Sequence, residues 1–213
     1  GKLEPSAATT IGGSVGTVGM MPAQMPPFVK KGFPMTGTPN TLLVFFSRNG
    51  ENLWDGGRRT LEIGNTKRVA GMIAERIECD IFEITAADPY SDEFDSVDQR
   101  SAQELRDNAR PAIAGELPDV GKYERIIVGS PVWHAELPMI LRTFFDETNG
   151  LAGKDVYPFV TFTGGAGAAL SEVAAACPKA TVHQGLPVRG EDAEGAGEDV
   201  DAWVAVELHG EEL

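Results

Sequence analysis

The sequence predicts an α/β domain whose parallel sheet is covered by helices on both faces. Short β-branched and apolar runs alternate with segments whose apolar residues recur at helical spacing. The first run, Thr41-Leu42-Leu43-Val44-Phe45-Phe46, is apolar and aromatic almost without a break, as in strands buried on both sides. Glycines, hydroxyls and aromatic residues also gather directly after three of the strands, where an open α/β sheet places its ligand.

The elements follow in order. After Thr41–Phe46, the residues Val69, Met72, Ile73 and Ile77 form an apolar stripe on a helix that starts near Asn65 or Thr66. Ile81-Phe82-Glu83-Ile84 reads as the second strand of the sheet, and the polar stretch from about Ser96 to Ala109 as a helix ending before Pro111. Arg125–Gly129 reads as a third strand. Pro138 suits the first position of a helix carrying Ile140, Leu141, Phe144 and Phe145, which Asn149-Gly150 stops. Asp155–Phe162 is a fourth strand, Ala168–Ala176 a small-residue helix and Thr181-Val182-His183 a short last strand. Val200, Trp203, Val204 and Leu208 mark a final helix.

Domain organisation is simple. Residues 1–40 are rich in Gly, Pro, Ser, Thr and Met without either period, which predicts an extended or disordered arm. The Gly12–Gly16 tract follows no strand and opens no helix, so it is a weak nucleotide loop. Residues 41–213 form the domain, and the acidic stretch 189–199 reads as a solvated loop.

Composition narrows the function classes. Of 213 residues, 32 are acidic and 18 basic, a formal net charge of −14. That balance opposes attraction to nucleic acid or an anionic membrane and favours protein partners with a basic surface. No run of eighteen apolar residues is present to span a membrane. Cys79 and Cys177 lack metal-ligand spacing and read as packing residues. Compartment stays open between the cytoplasm and export after loss of an N-terminal signal, and oligomeric state is undetermined.

Three loops carry the chemistry. After the first strand, Ser47-Arg48-Asn49-Gly50 and Gly64-Asn65-Thr66-Lys67 are two halves of one hydroxyl- and glycine-rich turn, with Glu51 to Ile63 inserted between them. Closed at a helix N-terminus, such a turn offers backbone N–H groups and the positive end of the helix dipole to a phosphate. It lacks the Gly-Lys-Ser/Thr order of a nucleoside-triphosphate loop. After the third strand, Ser130-Pro131-Val132-Trp133-His134 stiffens a loop that displays an indole to a planar ligand, with His134 as a neighbouring proton donor. After the fourth, Thr163-Gly164-Gly165 with Gly167 leaves N–H groups free to meet the polar edge of a ring. Together they suit a phosphate attached to a flat heterocycle. Leu53 and Trp54, costly to leave in water, predict that the insertion packs as a flap or hairpin.

Over about Thr41 to Val188 these residues resemble the flavodoxin-like family, in a short-chain layout with an insertion in the phosphate loop. Ser47-Arg48-Asn49-Gly50 and Gly64-Asn65-Thr66 resemble the two ends of its Ser-x-Thr-Gly-Asn-Thr run, with Asn49 where threonine is common. The resemblance implies a three-layer, doubly wound, five-stranded parallel sheet in the order 2-1-3-4-5 that binds FMN non-covalently. Flavodoxin is itself a standard illustration of the rule that ligands sit where strand order reverses, so the location of the site is borrowed from the family. It further implies that Ser47, Asn65 and Thr66 hold the FMN phosphate, while Pro131, Val132, Trp133, Thr163, Gly164 and Gly165 surround the isoalloxazine. Arg48, Asn49, Gly50 and His134 flank these positions and complete the expected set. Three readings stay open: an electron-transfer protein that meets a redox partner; an NAD(P)H-dependent quinone or nitro-compound reductase; and a binding protein that kept the fold without the cofactor. For the first, the acidic surface predicts a low potential for the final one-electron step.

Overall fold

The computed structural model describes residues 39–212. The N-terminal arm, apart from its last two residues, and the Gly12–Gly16 tract lie outside the described residues. In chain order the elements are β1 (Thr41–Phe46), β2 (Gly50–Trp54), β3 (Gly57–Leu61), α1 (Asn65–Ala74), β4 (Asp80–Ile84), α2 (Phe94–Arg106), β5 (Arg125–Pro131), α3 (Met139–Glu147), β6 (Asp155–Phe162), α4 (Ala169–Ala176), β7 (Thr181–Val182), β8 (Leu186–Arg189) and α5 (Gly197–Trp203), which runs on into a π turn at Val204–Leu208.

The main sheet runs β4-β1-β5-β6-β7, with β8 also paired to β6, and every pairing in it is parallel. Without the inserted hairpin this is the expected 2-1-3-4-5 order, except that two short strands share the last position. Alternation along β1 divides the core. Leu42, Val44 and Phe46 join Ile126 and Val128 of β5 under Ile140, Leu141 and Phe144 of α3. Leu43 and Phe45 face the other way, toward Val69 and Ile73 of α1 and Val200 and Trp203 of α5. Fully burying each large apolar side chain is worth about 1.5–3 kcal/mol, so these two cores hold the fold. Cys79 and Cys177 are both buried, and burial pushes the Cys177 thiol up to about 11.

Several boundaries differ from the sequence reading for identifiable reasons. Helix α2 starts earlier, at Phe94, because the Glu51 carboxylate from the hairpin accepts the Phe94 N–H at 3.0 Å. It ends earlier because Asn108 takes a left-handed φ of 46° just past its last turn. Pro138 caps α3 from outside rather than filling its first position. The stretch 189–199 is a correction: it is not a loose solvated loop but the end of β8, a 3-10 turn at Gly190–Gly195 and the start of α5. Glu191 is held there by the Asp55 N–H at 2.9 Å and the Arg189 guanidinium at 3.2 Å.

The inserted residues form an antiparallel hairpin, β2–β3, separate from the main sheet. It stands on the carboxyl end of β1 and leans on the start of α2. No helix among the described residues is long and apolar enough to cross a membrane.

Candidate functional site

At the carboxyl end of β1 the two halves of the split turn close on each other. A Cβ on Gly64 would overlap Ser47 Oγ and lie 2.6 Å from the Arg48 carbonyl oxygen, so only glycine lets the two chain segments meet. Gly64 has no side chain with which to cap α1. Ser47 does it from across the insertion, its Oγ accepting the Lys67 N–H at 3.1 Å. Thr66 is buried, and its hydroxyl lies 2.7 Å from that of Thr161, which ties the first turn of α1 to β6. A serine hydroxyl, the Asn65 amide and the first-turn N–H groups of α1 thus converge at a helix N-terminus.

Arg48 lines the same space, but its guanidinium is committed. It donates to the carbonyls of Glu51 at 2.6 Å, Asp92 at 2.9 Å and Ser91 at 3.2 Å, bracing the hairpin root against the loop before α2. Burial pulls it below its ordinary pKa, opposed by the charges of Asp92 and Glu51. Asn49 and Gly50 depart from expectation. Asn49 is exposed and off the cavity wall. Gly50 is the first residue of β2, paired with Leu61; at φ 88° its open side lies against Asp92, whose carbonyl oxygen would be 2.9 Å from a Cβ. Once the hairpin forms, Gly50 serves its root, and Asn49 precedes it in solvent.

The aromatic and glycine loops are latched together beside this turn. Trp133 and Glu136 exchange backbone hydrogen bonds at 2.9 and 3.0 Å around His134 and Ala135, whose φ values of 54° and 62° make a tight two-residue turn. That turn props up Trp133, which packs edge-on against Phe46 at 5.4 Å and Tyr90 at 5.1 Å between ring centres. Tyr90 is fixed in turn, donating its hydroxyl to Glu104 at 2.7 Å beneath the Arg100 guanidinium. The Ala135 carbonyl accepts the Ala168 N–H at 2.8 Å, joining the loop after β5 to the one after β6. Gly164 and Gly165 stay open, with no atom near the place a Cβ would take.

These parts line one cavity of about 410 Å³. Of the residues singled out from sequence, Ser47, Arg48, Asn65, Thr66, Pro131, Val132, Trp133, His134, Thr163, Gly164 and Gly165 are on its wall. The sequence reading left a further side of it out of the site: Asn52 and Leu53 from the hairpin, Leu53 having been expected only to pack in a flap or hairpin, and Phe94, Val97, Asp98 and Ser101 from α2. The signal existed, since Phe94, Val97 and Ser101 recur at helical spacing on one face. His134 is anchored to that helix, with Nε2 2.8 Å from Ser101 Oγ. Ser101 Oγ also lies 2.6 Å from the Val97 carbonyl. If its proton goes there, His134 carries its hydrogen on Nε2.

Among the described residues, Arg48, Asp98 and His134 are the ionisable side chains on the wall, so most acidic residues lie outside the cavity. Glu51 and Asp55 turn away from it, toward the start of α2 and toward Glu191 and Arg189. Among the described residues, no cluster of side chains is suited to holding a metal ion.

The sequence profile of the flavodoxin family matches residues 62–206, more than half of the chain. Among solved structures, the chain is similar to a protein of Bacteroides eggerthii provisionally classed as a flavoprotein, with 25% identity over 79% of this chain and 98% of that one and a TM-score of 0.64. It is similar to a second such protein, from Bacteroides uniformis, with 27% identity over 78% and 97% of the two chains and a TM-score of 0.59. A flavoprotein of Lactobacillus acidophilus in complex with FMN shares the fold at 22% identity, covering 78% of this chain and 99% of that one with a TM-score of 0.56. No curated protein matches the chain in sequence. With its switch-point cavity and the profile match over most of the domain, the chain belongs to the flavodoxin family.

Proposed function

We propose that this protein binds FMN and serves as an electron carrier between partner proteins. One observation carries the reading: a single cavity runs from the capped first turn of α1 to the paired loops bearing Trp133 and Gly164-Gly165. The residues present fit the cofactor at both ends. At one, Ser47, Asn65 and the N–H groups of α1 offer hydrogen bonds and a positive dipole to a phosphate. At the other, the indole of Trp133 offers a flat apolar surface, and the open glycines offer N–H groups to a ring edge. The family membership and the FMN complex of the Lactobacillus acidophilus protein support the same cofactor.

When bound, FMN supplies the electron chemistry, accepting and releasing one or two electrons. The chain's part is to bind, orient and exclude water. Trp133 is fixed by Phe46 and Tyr90 before any ligand arrives, so little ordering cost falls on binding. The cavity volume lies near the lower end of the ~300–1,000 Å³ typical for one small ligand. Its walls are joined by hydrogen bonds on several sides, which favours one bound cofactor over a cofactor with a second ring stacked on it. A redox partner would then approach from outside, and the net charge of −14 suits one with a basic surface.

The reductase reading rests on His134, whose imidazole lines the cavity and is the candidate group to pass a proton to a bound ring. Stopped-flow mixing of FMN-loaded protein with NADPH or NADH separates the two. The electron-carrier reading expects reduction slower than about one per minute without a partner; reduction within the turnover range of enzymes, about 1–1,000 s⁻¹, would select the reductase.

A further inference from the structure

We infer that the inserted hairpin β2–β3 is a fixed wall of the cofactor cleft, and that Leu53 is the side chain on it that the flavin ring system covers. This rests on the FMN reading above and extends it to the segment inserted between the two halves of the phosphate-type turn. Among the described residues Leu53 is the exposed large apolar side chain, 40% accessible, and it lines the cavity. An apolar side chain held open beside a ligand cleft gains by being covered there.

Strand geometry places Leu53 on the side of the ribbon that packs toward α2, the helix that brings Phe94 and Val97 to the cleft, while Asn52 reaches the wall from the other side and donates to the Arg48 and Gly50 carbonyls. Side chains alternate along β2, and Leu53 pairs directly with Arg58, so Glu51, Leu53 and Arg58 share one face. That face is turned toward α2. The Glu51 carboxylate caps the helix, and the Arg58 guanidinium bonds Asp95 at 2.7 and 3.2 Å while lying over the Phe94 ring at 4.9 Å. Trp54 belongs to the opposite face, where Arg59 stacks on it at 4.5 Å, and it is not part of the cavity wall.

The hairpin is braced at both ends. Its root is held by the Glu51 N–H to the Asp92 carbonyl at 2.8 Å and by Arg48. Its tip is held by the Asp55 N–H to Glu191 and by the Arg189–Asp55 ion pair at 3.7 Å. A segment tied at root and tip presents Leu53 in one place. Beside Leu53 the wall continues with Phe94 and Val97, which have no side-chain hydrogen-bonding group for a phosphate but suit a flat apolar ring.

The test titrates apo wild type, Leu53→Ala and Leu53→Asp with FMN and with riboflavin, which has the ring but no phosphate. Ser47→Ala is the reference for the phosphate end. Leu53→Ala is expected to weaken both ligands alike, about five- to tenfold, and Leu53→Asp to weaken both further. Ser47→Ala should weaken FMN and leave riboflavin unchanged. Leu53 is already exposed in the ligand-free protein, so thermal melts of the apo variants should match wild type, and that control excludes misfolding. Affinities of Leu53→Ala within twofold of wild type for both ligands would overturn the inference. So would a loss for FMN alone, which would place Leu53 on the phosphate loop instead. Wild type that takes up neither ligand would overturn the FMN reading itself, and the inference with it.

Discussion

The two ends of the cavity are built in opposite ways. The phosphate-type end joins chain segments that the hairpin drives apart, Ser47-Arg48 and Gly64-Asn65-Thr66, and depends on a glycine contact and a cap supplied from outside the helix. The ring end uses two short loops that leave neighbouring strands β5 and β6 side by side and are latched by one backbone hydrogen bond. The first end is set by tertiary closure, the second by sheet topology. The first should therefore break at single atoms, and the second should weaken gradually.

Gly64→Ala is the sharpest way to break that contrast. The added methyl meets the Ser47 hydroxyl and the Arg48 carbonyl, and the two halves must separate. Hydrogen bonds to a charged group are worth about 1.5–3 kcal/mol each, so loss of one or two should cost FMN affinity about a hundredfold. Riboflavin affinity should barely move. If both ligands weaken equally in a fluorescence titration, the two ends are not independent.

Trp133→Ala should act on the other end and more mildly. The expected loss is about tenfold for FMN and riboflavin alike, measured in the same titration. Phe46 and Tyr90 also lose an edge-on partner, so chemical denaturation should show the apo protein destabilised by about 2 kcal/mol. An unchanged riboflavin affinity would remove the indole from the ring's surroundings.

Arg58→Ala tests the brace between hairpin and α2. Its ion pair with Asp95 lies in solvent, so global stability should hardly change. Amide hydrogen exchange in β2 and β3 should nevertheless quicken, and flavin affinity should fall by about two- to threefold. Unchanged exchange would mean that the root contacts of Glu51 and Arg48 and the tip contacts of Asp55 hold the hairpin without Arg58.

The smallest expected effect is pH dependence. The hydrogen bond from Arg58 holds the Asp95 carboxyl below its ordinary range. Burial works against Glu191, yet the Asp55 N–H and Arg189 hold its carboxyl low as well. Groups with depressed folded values contribute stability above the ordinary carboxylate pKa and lose it as pH falls through the folded value. The hairpin should thus stay closed at neutral pH and loosen only below about pH 4. Hairpin exchange rates followed from pH 6 to pH 3 check this; loosening already at pH 6 would point to a different titrating group.

Much of this was legible in the sequence because the signals were local. Thr41–Phe46 is apolar without a break, Asn149-Gly150 stops a helix, and the loops around Trp133 and Gly164 sit at neighbouring strand ends that the parallel topology brings to one cavity. What stayed hidden depends on distant partners. Strand β8 was missed because Pro187 breaks the usual pattern, a tolerable feature in a short strand that pairs only with β6. The start of α2 was missed because its cap, Glu51, lies in another element. Asn49 and Gly50 were read as parts of a phosphate loop, whereas Gly50 opens the hairpin and Asn49 lies exposed off the cavity wall. Glu191, taken as solvated charge, anchors the hairpin tip.

The central claim is that one cavity takes FMN with its phosphate at the closed turn and its ring at the latched loops. Calorimetric titration of the apo protein with FMN and with riboflavin tests it most directly. The account predicts one FMN per chain, bound at least about a hundredfold more tightly than riboflavin because only FMN reaches the N-terminus of α1. Equal affinity for the two flavins, or no uptake of either, would contradict it.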